Sequence, residues 1–92
     1  SIVSQFRALA LRDARIQEIV RPYFEGYCNG LTILIEQGIQ RGEFRQSLQA
    51  EDAALSLVAI MEGAILMAYS LNRPLKAVMN VCINTFLDGL EP

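Results

Sequence analysis

The stretch AALSLVAIMEGAILMAYSL, running from Ala53 to Leu71, decides how this chain folds. Only Ser56, Glu62 and Ser70 interrupt its apolar character. Just before it, Glu51 and Asp52 stand where negative charge complements the positive end of a helix dipole. The segment therefore reads as a helix from about Ala50 to Leu71. A helix that is apolar on every side must be covered on every side. The remaining sequence has to supply that cover, or a second molecule has to.

Working outward, the Asn72-Arg73-Pro74 cluster ends this helix, and Pro74 suits the first position of the next one. That helix runs to about Gly89. Leu75, Val78, Met79, Cys82, Ile83, Phe86 and Leu90 form its wide apolar face. Lys76, Asn80, Asn84 and Asp88 form a narrow polar stripe at i, i+4 spacing, so this helix is wetted along one edge. On the other flank, Arg15 to Arg41 carries Ile16, Ile19, Val20, Tyr23, Phe24, Tyr27, Leu31, Leu34 and Ile35 in a 3/4 repeat. Gln17, Glu18, Arg21, Glu25, Asn29, Thr32 and Glu36 fall opposite, which predicts an amphipathic helix facing a core. Pro22 removes a backbone donor and predicts a kink, or a restart about four residues earlier. Asn29-Gly30 before an aliphatic run could instead be a hairpin turn and a strand. The unbroken helical stripe and the lack of period-two alternation favour the helix. Gly42, just after Arg41, suits a helix C-terminal cap. A short helix from about Ile2 to Arg12 completes the chain, with Ile2, Phe6, Leu9 and Ala10 at helical spacing. The fold class is all-α, an antiparallel helical bundle. Its last two helices carry more apolar surface than the first two can cover. A symmetry mate would complete a four-helix bundle about a two-fold axis.

The bulk numbers agree. Of 92 residues, 52% are hydrophobic, and the mean hydropathy is +0.27, a heavy apolar load for one small domain. Net charge is −2, which offers phosphate backbones nothing. There is no His, the commonest general base and metal ligand. Cys28 and Cys82 match no metal-site spacing and read as buried thiols of a cytosolic protein. No catalytic residue, metal ligand or cofactor site is expected. Nothing resembles a phosphate loop or a nucleophile–base pair, and the Glu51-Asp52 pair is explained by the helix dipole. Ala53–Leu71 is almost long enough to span a bilayer. Glu62 at its middle makes that reading expensive, so no membrane role is expected.

The stretch Glu36-Gln37-Gly38-Ile39-Gln40-Arg41-Gly42-Glu43-Phe44-Arg45 resembles a signature of TetR-family transcriptional repressors. There a long helix ends in a Gly-Glu-Phe turn, followed by a helix opening on acidic residues and alanines, here Glu51-Asp52-Ala53-Ala54. A mid-helix glycine is matched by Gly63, and the closing leucine tail by Leu87-Asp88-Gly89-Leu90. Phe6 to Asp13 is similar to the family's short helix before the long one. The resemblance covers essentially the whole chain. Gln49 departs from it, standing where a capping Asp is common, and so does Pro22 in the long helix.

The resemblance implies that residues 1–92 are a C-terminal effector-binding and dimerisation domain, and that Ser1 is a domain boundary. The helix-turn-helix that reads operator DNA would belong to an N-terminal domain with no counterpart here. It implies a cytoplasmic homodimer that takes a small, apolar effector, with ligand binding coupled to the spacing of two recognition helices. The expected dimer face comprises Leu55, Ala59, Gly63, Met67, Val78, Met79, Cys82 and Phe86. The expected pocket lining comprises Tyr23, Phe24, Tyr27, Leu31, Leu34 and Glu62. Each has a plainer reading: the aromatics and methionines as core, Gly63 as a helix-packing point, Glu62 as a hydrated edge. Glu62 has no cation at i±3 or i±4, so a partner would come from Arg7, Arg12 or Arg73. The alternative is a generic helical dimerisation module without a ligand.

Overall fold

The computed structural model describes Ser1, Ile2, Ser4, Gln5 and residues 13–92. Among them are three helices and no strand: α1 (Ala14–Gln40), α2 (Ala50–Ser70) and α3 (Leu75–Asp88). The predicted helix at Ile2–Arg12 lies largely outside the described residues.

Asp13 starts α1. Its carboxylate accepts a hydrogen bond from the Arg15 backbone N–H at 2.9 Å, filling one of the unpaired donors of the first turn. The helix then runs unbroken through Pro22, Asn29 and Gly30. The expected restart at Pro22 is therefore absent, and so is the hairpin alternative. Proline deprives the Glu18 carbonyl of its helical donor, but Glu18 and Pro22 are both exposed. Water can take that carbonyl.

Both interhelix turns use the same device. After α1, Gly42 adopts φ +74. Its N–H donates to the Ile39 carbonyl, and that of Glu43 donates to Gly38. After α2, Asn72 adopts φ 51. Its N–H donates to Tyr69, and that of Arg73 donates to Ala68. These are paired Schellman caps closed by the two residue types that tolerate the left-handed conformation. Pro74 then stands at the N-cap of α3 rather than at its first helical position. Gln49, at the N-cap of α2, makes no side-chain cap, so the negative charges of Glu51 and Asp52 serve the helix start alone.

The core is small-residue and thin. Its buried hydrophobics are Ile35, Ala53, Ala54, Val58, Ala64, Ala68 and Leu90. Leu31, Ile39, Phe44, Leu48 and Phe86 pack around Ile35, Ala53, Ala54 and Leu90. The Phe44 ring lies so close to Gly38 that a Cβ there would collide with it. Arg45 ties the far end of the chain down. Its backbone N–H donates to the Leu90 carbonyl at 2.9 Å, and its guanidinium donates to the Gly89 carbonyl at the negative end of α3.

Helix α2 packs on both α1 and α3, and the Cα extents are 41 × 31 × 15 Å. The chain is nearly a single layer of helices. Its accessible surface is 6717 Å², against about 5,300 Å² for a compact monomer of this mass. The radius of gyration is 14.9 Å, against about 12 Å.

Candidate functional site

Two surfaces carry the residues singled out in the sequence. The first lies along α1. One helical turn separates Tyr23 from Tyr27, and the Tyr23 hydroxyl donates to the Tyr27 hydroxyl at 3.2 Å. Their rings meet edge to face with centroids 4.8 Å apart. Phe24 meets Tyr23 in the same way at 5.6 Å. Across the interhelix space, Glu62 of α2 acts electrostatically on Tyr23. The Tyr23 phenol is raised above its ordinary 10.0, first by the hydrogen bond it donates to Tyr27, then by charge on Tyr27, by burial and by Glu62. Tyr23, Phe24 and Tyr27 therefore form one cluster, which Glu62 reaches only through its charge.

The other two behave differently. Leu34 is exposed and continues the tyrosine stripe along α1. Leu31 turns into the rim of the core. Glu62 is half-buried. Of its expected partners, Arg7 and Arg12 lie outside the described residues.

The second surface is the outward face of α2 and α3. Leu55 is 62% exposed and Met67 48%; Ala59 is exposed and Gly63 half-buried. A Cβ on Gly63 would meet nothing within 4 Å, so no close approach inside the chain requires this glycine. Val78, Met79 and Cys82 are half-buried, and Phe86 leans on the core cluster, so these four are partly covered by their own chain. Sequence reading missed Tyr69, Val81 and Leu87, all exposed. Val81 and Leu87 stand off the 3/4 apolar stripe of α3, and the signal was simply their size on an otherwise polar edge. Helix α2 is long and apolar enough to cross a membrane, yet only 28% of that stretch is buried.

Among the described residues no His, Cys, Asp or Glu cluster could hold a metal ion. Cys28 and Cys82 are free thiols, half-buried rather than buried. An open groove of about 530 Å³ runs between Arg45, Gln49, Asp52, Ser56, Thr85 and Phe86, and none of the six expected pocket residues lines it.

A family profile described as "BetI-type transcriptional repressor, C-terminal" matches residues 1–90. The chain belongs to this family. It is a C-terminal domain of the TetR type, as the Gly42-Glu43-Phe44 turn and the acidic start of α2 imply. TetR-family regulators act as dimers that bind DNA and effectors. No curated protein and no solved structure matches the chain.

Proposed function

We propose that this domain pairs two subunits of a cytoplasmic TetR-like repressor and supplies part of its effector pocket. The observation that carries the reading is the outward apolar face of α2 and α3. Leu55, Met67 and Tyr69 are about half exposed or more on one helix, in a layer only 15 Å thick. Monomeric proteins rarely leave so contiguous an apolar face in water, and a two-fold mate would convert two hairpins into a four-helix bundle. Operator binding then belongs to a separate N-terminal domain.

The Tyr23–Phe24–Tyr27 cluster, with exposed Leu34 two turns further along α1, supports an effector site. Aromatic walls bury a small apolar molecule, while phenol hydroxyls and a carboxylate orient any polar group it carries. The competing reading, a dimerisation module without a ligand, predicts the same pairing and no pocket.

Sedimentation tests the pairing that both readings share. The chain mass is 10.2 kDa, and the dimer reading predicts twice that at micromolar concentration. Leu55→Glu or Met67→Glu should yield monomer or aggregate, and a folded wild-type monomer would refute pairing by this surface. A thermal-shift panel of small apolar compounds tests the pocket, because a ligand that prefers the native state raises its melting temperature. Stabilisation abolished by Tyr27→Ala supports the site. Stabilisation that survives the substitution places the ligand elsewhere.

A further inference from the structure

The outward edge of α3 is more than a wetted stripe. Lys76, Asn80, Asn84 and Asp88 are all exposed, and among the described residues none of them makes a side-chain hydrogen bond or ion pair. Val81, 66% exposed, and Leu87, 41% exposed, flank them, so water meets apolar surface on both sides of the polar row. The row is also a palindrome in chemistry. Read in either direction it runs charge, amide, amide, charge, with the end charges opposite in sign.

We infer that the α3 helices of two subunits lie antiparallel across the two-fold axis. In this register Lys76 faces Asp88 of the partner subunit and Asn80 faces Asn84 of the partner subunit. A two-fold axis makes every such contact occur twice. The same register sets exposed Ala77 against Leu87 of the partner subunit, a small residue against a large one, as interdigitating helices require. The parallel arrangement is disfavoured by the same residues, because it sets Lys76 against Lys76 and Asp88 against Asp88. Juxtaposed like charges are costly at an interface and serve to exclude wrong registers. The occupant of this edge is therefore a second copy of the chain. The proposal rests on the dimer reading above and adds its orientation and register.

The test is a charge swap in the full chain, with dimer dissociation measured by sedimentation at low and high salt. Lys76→Glu and Asp88→Lys each place like charges together twice per dimer. Each should weaken dimerisation by about tenfold at low salt, less at high salt. The double variant, Lys76→Glu with Asp88→Lys, restores opposite pairing and should return to within about threefold of wild type. Helical circular dichroism should be unchanged in all three. Single variants as tight as wild type, or a double variant as weak as the singles, would overturn the register. Leu55→Glu in the same series tells the two failures apart. If it dissociates the dimer while the charge variants do not, pairing stands and the register falls. If it too has no effect, pairing through this surface fails as well, and the register with it.

Discussion

Gly38 and Phe44 form a contact whose energetics should reverse sign with background. Gly38 is buried two residues before the end of α1, and the Phe44 ring occupies the space where its Cβ would go. Gly38→Ala must push the ring out of a half-buried position against Ile35, Ala53, Ala54 and Leu90. Overpacking of this kind costs about 1–3 kcal/mol. Replacing a helical glycine by alanine returns about 0.5–1 kcal/mol. The net expectation is destabilisation by about 1 kcal/mol. Phe44→Ala alone should destabilise by about 3 kcal/mol, through lost burial and the cavity left behind. In that background the obstruction is gone, so adding Gly38→Ala should stabilise by about 0.5–1 kcal/mol. Urea unfolding of the four proteins, followed by circular dichroism at one fixed concentration, completes the cycle. A fixed concentration matters because the proposed subunit association would add to apparent stability. If Gly38→Ala shifts stability equally in both backgrounds, the two residues are uncoupled and the argument is wrong.

Leu90 is 4% exposed in the core cluster, so Leu90→Ala should lower stability by about 2–3 kcal/mol in the same urea assay. Asn72 sits at φ 51. Asn72→Gly should be tolerated, whereas Asn72→Val should cost about 1–2 kcal/mol, since a β-branched residue resists that conformation. The Tyr23 phenol is held above 10.0, chiefly by the hydrogen bond with Tyr27. A raised pKa means the neutral phenol is favoured in the folded state. Its contribution is thus present below 10 and lost as pH climbs through the folded value. Tyr27→Phe removes the hydrogen bond, and an ultraviolet phenolate titration should show the Tyr23 transition moving down towards 10. An unmoved transition would mean the bond does not govern it.

Much of the architecture was legible in the sequence. Helix boundaries at α1, α2 and α3 follow from the apolar periodicities and from Gly42 and the Asn72-Arg73-Pro74 cluster, because cap chemistry is local. The restart that Pro22 suggested does not occur, because its lost hydrogen bond matters only if the orphan carbonyl is dry, and exposure is a tertiary property. The Gly38–Phe44 contact and the Arg45 clasp on Gly89 and Leu90 were unreadable for a related reason. They join residues whose proximity depends on how the turn folds back. At the candidate site, the helical spacing of Tyr23 and Tyr27 announced their meeting. The approach of Glu62 depends on the pairing of α1 with α2, which no local pattern records. Leu31, one turn beyond Tyr27, drifted into the core rim because an α-helical stripe turns slowly about its axis. On α3, the polar i, i+4 row drew attention away from Val81 and Leu87 beside it.

The thinness of the layer has a consequence for exchange with solvent. Helix α2 holds five of the seven buried apolar residues among those described, Ala53, Ala54, Val58, Ala64 and Ala68, yet its opposite side is open. An amide there is shielded by one helix diameter of protein at most. If two copies pair through that open side, as proposed, opening the helix should need little more than their separation, and its slowest amides should quicken when the protein is diluted. Deuterium uptake along α2, followed across a dilution series, would then read out assembly from within the backbone itself.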